Sequence, residues 1–303
     1  MSVRLPRRSA VFAGGLVAAM TLVGCGSSSG GGSVAAPSAG GSAAAVTADS
    51  ALAARLPAKV KSAGVINSGT DASYAPIESI AEDGKTIEGF DVDLGNAMGA
   101  KLGVKINFVN SPFDSIIPGI DSGKYDVGFS SFTPTAQRMQ KVDFVNYLNN
   151  GTLWAVKKGN PGKINADDAC GKKVAVQKGT TQVDDITARS KKCTDAGKPA
   201  ITVDQYQLQT DATTAVVSGK DDAMLADSPV VSYAVVKSGG QVEQLGDQYG
   251  AAPTGIALPK GSPLTQLFAD TLTALIKDGT YGKITSKWGL DKLAVTSVDI
   301  NKV

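Results

Sequence analysis

No histidine occurs anywhere in the 303 residues. That absence removes the commonest zinc ligand, the commonest general base and every triad built on an imidazole. Enzymes also run on carboxylates and lysines, so the case for catalysis is weakened rather than closed. A charge excess is missing too: 30 Lys and Arg stand against 28 Asp and Glu, which gives nucleic acid no basic footprint. Cysteine is scarce, with Cys25, Cys170 and Cys193 alone, so no metal site and no cofactor is expected. Long apolar runs are lacking as well. Ala10 to Gly24 (AVFAGGLVAAMTLVG) would span only about 22 Å as a helix, against a hydrocarbon core of roughly 30 Å.

That short run follows Arg4, Arg7 and Arg8, the arrangement of a secretory leader. The next residues, LVGC from Leu22 to Cys25, resemble a bacterial lipobox, in which a small residue precedes a cysteine that becomes lipidated and N-terminal. Residues 1–24 therefore read as a lipoprotein signal peptide and Cys25 as the lipid-anchor site, with the protein on the extracytoplasmic face of the cell membrane. Removing the leader leaves 27 basic against 28 acidic side chains. Residues 25–52 are rich in Gly, Ser and Ala and read as a flexible tether. In an exported chain the even pair Cys170 and Cys193 suggests a disulfide, two buried free thiols being the alternative.

Beyond the tether, strand and helix patterns alternate, which argues for an α/β sheet. VKINFV alternates as a strand, and FDVDLGNAMGAKLG carries Leu94, Ala97 and Met98 at helical spacing before Gly103. A second series runs from KKVAVQ through GTTQVDDITARSKK to DDAMLAD. GIALP is a strand placed to return to the first series. The expectation is two lobes, residues 53–153 plus 254–303 and residues 154–253. They are joined by two crossovers, near Leu153–Lys157 and Gly250–Thr254.

Three strand-to-helix turns look alike: Phe129-Ser130-Ser131 into Pro134, Gln177-Lys178-Gly179-Thr180-Thr181, and Leu225-Ala226-Asp227 into Pro229. In open α/β sheets such carboxyl ends collect ligands. The first turn predicts a helix with Thr133 as N-cap, and offers Ser131, Thr133 and the Arg138 guanidinium to a carboxylate. The third offers Asp227 to an ammonium group. Opposite charges at a fixed separation suit an α-amino acid.

In order along the chain, TDASYAPIE, GFDVDL, FDSIIPGIDSGKYDVGFSSFTPTAQRMQKVDF, KVAVQKGTTQ, DDAMLADSP and GIALPKGSPL resemble the solute-binding proteins of polar amino-acid ABC importers. The resemblance spans about residues 55–290. It implies a two-lobed, periplasmic-binding-protein-like clamp of type II, a monomer that closes over one amino acid and delivers it to membrane permease subunits. It places Arg138, Ser131, Thr133 and Thr181 on the ligand carboxylate and Asp227 on its ammonium. Tyr74 and Phe113 would sandwich the ligand side chain, Asp71 would lie near its far end, and Gln177 would act in selectivity. Ile77 departs from the aromatic usual after YAP, and Thr133 from a frequent serine, which leaves the side-chain pocket open. Each residue also has a plainer role: Asp227 and Thr133 as helix caps, Asp71 as a turn cap, Tyr74 and Phe113 as core rings. An ionised, unpaired Asp71 would favour a basic ligand; an amide shared between Asp71 and Gln177 would suit glutamine. Dehydratases also resemble this family. The proton donors for such chemistry would be Asp71, Glu78 or Lys178, none with a visible partner in the sequence.

Overall fold

The structure is a computed structural model that describes residues 46–303. The leader, Cys25 and most of the tether fall outside the described residues. The body begins earlier than the tether boundary at 52. Helix α1 spans Ser50–Ala54 because Asp49 caps it, accepting hydrogen bonds from the amides of Ala51 and Leu52. Among the described residues no helix is long and apolar enough to cross a membrane.

The first series contains α2 (Ala58–Ala63), β1 (Val65–Thr70), β2 (Ser73–Tyr74), β3 (Glu78–Ile80), β4 (Ile87–Glu88), α3 (Phe90–Leu102), β5 (Lys105–Asn110), α4 (Phe113–Asp121) and β6 (Val127–Phe132). The long β7 (Val142–Lys157) leads to β8 (Lys173–Gln177), α5 (Thr181–Asp195), β9 (Thr202–Tyr206), α6 (Gln209–Ser218), β10 (Ala223–Asp227) and α7 (Ser228–Lys237). The equally long β11 (Val242–Pro259) returns to α8 (Pro263–Lys277) and α9 (Thr280–Lys287). One eight-stranded sheet has the order β5-β1-β6-β11-β7-β10-β8-β9, and β2, β3 and β4 make a small second sheet.

The pairing explains how two halves share one sheet. At its start β7 pairs antiparallel with the end of β11, Val142 opposite Pro259, beside β6 of the first series. At its end β7 pairs with β10, Thr152 opposite Asp227. Register breaks in β11 between Leu245 and Tyr249 and between Tyr249 and Ala252 mark where the two long strands pass from one half to the other. Opposite them in β7 lie Asn150–Trp154, overlapping the start of the Leu153–Lys157 crossover read from the sequence. In β11 the breaks between Leu245 and Ala252 overlap the start of the Gly250–Thr254 crossover read from the sequence. Gly151 sits at this passage because a Cβ there would lie 2.6 Å from the Tyr249 carbonyl oxygen. The chain end braces the first crossover strand. The Asn301 amide donates to the Phe144 carbonyl at 2.9 Å, and Ile300 bridges to Val145.

The segment after β6 departs from the reading made of it. Thr133 caps no helix, and Pro134 starts none; the only helical turn before β7 is a 3₁₀ turn, Arg138–Gln140. β6 and β7 both flank β11, so the link from Thr133 to Lys141 has to cross over that strand. Nine residues do not hold an α-helix and a crossover together. Thr135, not Thr133, receives the Arg138 amide, at 3.2 Å.

Cys170 and Cys193 are joined, with Cα atoms 5.6 Å apart, tying the loop before β8 to the end of α5. The sequence separation of 23 sets the size of the effect. Replacing both cysteines by alanine should lower unfolding free energy by about 3 kcal/mol on the chain-entropy account. Denaturant unfolding of the oxidised protein and the double variant measures it, and equal midpoints would refute the assignment.

Candidate functional site

The carboxyl ends of β1, β6, β8 and β10 converge where the two halves of the sheet face each other. They border a narrow cleft lined by all nine residues singled out in the sequence: Asp71, Tyr74, Phe113, Ser131, Thr133, Arg138, Gln177, Thr181 and Asp227. Ser130, Thr180 and Gln182 complete the wall.

Asp227 ends β10 and stands at the N-cap position of α7, yet its carboxylate caps nothing. It turns into the cavity instead. One oxygen accepts from Ser131 Oγ at 2.9 Å and Asn150 Nδ2 at 3.2 Å, and the other from Gln182 Nε2 at 2.9 Å. The capping role is therefore excluded. Burial pushes this carboxyl up, and the hydrogen bonds from Ser131, Gln182 and Asn150 oppose that push. All three donors are neutral, so the negative charge is held but not cancelled. The Asp227 backbone amide also donates to Tyr74 Oη at 3.0 Å.

Arg138 approaches from the link after β6. Its guanidinium donates to the Thr133 carbonyl at 2.8 Å and, across the cleft, to the Gly179 carbonyl at 2.9 Å. It lies 5.4 Å from the ring centroid of Phe113 and 5.8 Å from that of Phe132, which themselves stack at 4.9 Å. Burial pulls the guanidinium down, against the attraction of Asp227, Asp184 and Tyr74. No ion pair joins Arg138 to a carboxylate among the described residues. Phe113 thus finds its ring partner in Phe132. Gly179 has φ +81, and a Cβ there would sit 2.8 Å from Asp114 Cβ; only glycine lets this loop come so close to α4.

Asp71 is not unpaired, contrary to one of the expectations. It accepts from Ser73 Oγ at 2.5 Å, from the Phe113 amide at the start of α4 at 2.8 Å, and from Gln177 Nε2 at 3.0 Å. It therefore serves as a turn cap and still borders the cavity. Burial pushes its carboxyl up, with these hydrogen bonds opposing. Gln177 reaches Asp71 from the opposite half, so the two positions are one connected feature. Glu78 and Lys178, the other conceivable proton donors, point elsewhere: Glu78 is buried behind Ser130, and Lys178 pairs with Asp114 at 2.9 Å.

Sequence reasoning passed over Gln182 and Asn150. Gln182 stands directly after the two threonines singled out, and its position in the first turn of α5 was the available signal. Asn150 lies in a stretch to which the sequence reading assigned no element, and only the pairing of β7 with β10 brings it to Asp227.

Several polar contacts cross the cleft. Beside the pairs already named, Gln207 Nε2 reaches Asp114 Oδ1 at 3.0 Å and the Gln209 amide reaches Ser73 Oγ at 3.0 Å. Burial pushes the Asp114 carboxyl up, but hydrogen bonds from Lys178 and Gln207 and the lysine charge outweigh it and hold it below the ordinary value. That depressed value belongs to the closed arrangement. Its contribution is complete above the usual aspartate pKa of about 3.9 and is lost as pH falls through the lower closed-state value. Scattering should show the molecule expanding below about pH 4, with a weaker acid step in Asp114→Asn. A variant that expands as fully as the parent would exclude this latch.

Residues 66–291 match the family described as bacterial extracellular solute-binding proteins, family 3. The arginine-binding protein ArgT of Corynebacterium glutamicum is 35% identical over 250 residues, covering 82% of each chain. The lysine/arginine/ornithine-binding periplasmic protein of Escherichia coli is 34% identical, over 73% of this chain and 85% of the other. An ancestral arginine-binding protein, solved with arginine and with glutamine, is 36% identical; each structure matches 74% of this chain with a TM-score of 0.68, covering 98% and 97% of the ancestral chain. The sequence, the sheet and the cleft agree, and the chain belongs to the family 3 extracellular solute-binding proteins.

Proposed function

We propose that the protein is the substrate-binding lipoprotein of an ABC importer, anchored at Cys25, and that it captures a cationic amino acid, arginine foremost, for a membrane permease. The observation that carries the substrate is the charge of the cavity wall: two carboxylates, Asp71 and Asp227, and one guanidinium, Arg138. A zwitterion alone answers one acid and one base. A ligand with a second positive group answers all three. The relatives that bind arginine, lysine and ornithine support the same reading.

In this mechanism Arg138 holds the ligand carboxylate with a planar fork of donors, helped by Ser131 and by Thr181 at the start of α5. Asp227 receives the ammonium in place of its neutral donors, and Asp71 receives the side-chain cation in place of the Gln177 amide. Ligand contacts from both halves favour the closed arrangement, which the permease recognises. Binding rather than catalysis fits the placement of the proton donors, since Asp71 is saturated with hydrogen bonds and Lys178 lies outside with Asp114. Glutamine is the second reading, favoured by the Asp71–Gln177 contact, whose donor an amide side chain can replace.

Titration calorimetry of the purified protein tests both. Arg138→Ala should weaken arginine at least about thirtyfold, from the roughly 2–5 kcal/mol cost of truncating one partner of a buried charge pair, with the melting temperature unchanged. Asp71→Asn should weaken arginine about tenfold or more and leave glutamine within about threefold. Parental arginine affinity in Arg138→Ala rejects the clamp, and equal losses for both ligands in Asp71→Asn reject the cationic side-chain site.

A further inference from the structure

Behind the Ser130–Ser131 corner of the cavity lie two carboxyls that ligand binding does not use. Glu78 on β3 and Asp91 in the first turn of α3 are both fully buried, with no exposed surface. Each has one oxygen accounted for. Ser130 Oγ donates to Glu78 Oε1 at 3.0 Å, while the Ser131 amide at 3.3 Å and Tyr147 Oη at 2.9 Å donate to Asp91 Oδ2. The remaining oxygens, Glu78 Oε2 and Asp91 Oδ1, are buried and find no donor. The Asp91 amide donates to the carbonyl of Ile77, the residue before Glu78, at 3.0 Å, so the two carboxyls lie close enough to act on each other. The other ionisable groups that face them are Tyr147 from β7, Asp71 from the end of β1 and Tyr74 from β2, none of them a cation.

Two buried anions in contact, with no cation beside them, repel too strongly to coexist. One proton between the two orphan oxygens satisfies both. We propose that Glu78 and Asp91 form a carboxylic acid–carboxylate pair sharing one proton, and that this pair positions the Ser130–Ser131 corner of the ligand cavity. The donors fix where the charge sits. Asp91 accepts two further hydrogen bonds to Glu78's one, and it stands at the positive end of the α3 dipole, so Asp91 is the anion and Glu78 the acid. Burial pushes both carboxyls up, in keeping with one remaining protonated at neutral pH.

The consequence reaches the cleft through Ser131. Its φ of +49 is a left-handed conformation that a serine seldom adopts without a local partner. Asp91 supplies that partner by holding the Ser131 amide, which leaves Ser131 Oγ aimed at Asp227, 2.9 Å away in the other half. On the adjacent residue, Ser130 Oγ accepts the Asp71 amide at 3.0 Å while donating to Glu78. The pair therefore orders both the strand end that carries Ser131 and the turn that carries Asp71. Glu78 and Asp91 are positioning residues.

The shared proton predicts an unusual pattern, read without ligand. Infrared difference spectra of the parent against Glu78→Gln at about pH 7 should show one lost carboxylic-acid carbonyl band. Asp91→Asn should lose the same band, because the new amide donates to a Glu78 that is then ionised. Loss in neither variant, or in Glu78→Gln alone, overturns the shared proton. The positioning role rests on the amino-acid-binding reading above and is read by arginine calorimetry. Glu78→Gln keeps both hydrogen bonds and should bind within about threefold of the parent, whereas Glu78→Ala should bind at least about tenfold more weakly. Equal weakening in both variants overturns positioning. If Glu78→Ala does not fold, Asp91→Ala takes its place: a loss of at least about tenfold supports positioning and parental affinity overturns it. A parent that does not bind arginine refutes the substrate assignment, while the infrared pattern still decides the proton.

Discussion

The closed cleft depends on the way Asp227 is held. A buried carboxylate is costly unless every lone pair meets a donor. Here Ser131, Asn150, Gln182 and, through the backbone amide, Tyr74 surround it, and each arrives from a different element. None is a cation. Asp227 is thus solvated by the protein without being neutralised, and its field remains available to an ammonium group. Arg138 is treated in the same way: two carbonyls and two aromatic faces support it, and no carboxylate cancels it. Opposed charges kept apart by neutral supports are the condition for recognising a zwitterion.

The long strands β7 and β11 make that arrangement movable. Both run through both halves, so the sheet is continuous while its pairing is interrupted at Asn150–Trp154 and Leu245–Ala252. Backbone pairing on either side keeps each half rigid. The register breaks concentrate bending in a few residues, one of which, Asn150, also touches Asp227. A change in the charge environment of Asp227 is therefore felt at the hinge itself. Several contacts across the cleft are hydrogen bonds, which are exchanged for water or ligand at small net cost.

Much of this was legible beforehand. The alternation of strands and helices, the end of α3 at Gly103 and the return of GIALP beside β6 follow from periodicity and glycine placement, which are local properties. Ser131, Thr133, Arg138, Thr181 and Asp227 were recognisable because strand-to-helix turns carried hydroxyls, an arginine and an aspartate, whereas Asp71, Tyr74, Phe113 and the role of Gln177 came only through the family resemblance. Other features were hidden. The helix expected at Thr133 fails because the strand order forces a nine-residue link to cross β11, and strand order is not a local property. Asn150 carries no local signal, and its role exists only because β10 lies alongside. Glu78 and Asp91 are thirteen positions apart in the chain, and neither shows that the other faces it.

The sequence alone determined the classes of chemistry excluded by missing histidine and balanced charge, the order of elements, and which side chains stand at strand ends. Composition and local periodicity act over a few residues, so they can be read from the chain directly. Only the tertiary structure decided that Asp227 points into the cleft rather than capping α7, that Asp71 is already paired, and that two carboxyls meet beneath Ser131. Those outcomes depend on which distant segments are brought within hydrogen-bonding range, and burial then gives such contacts their energetic weight.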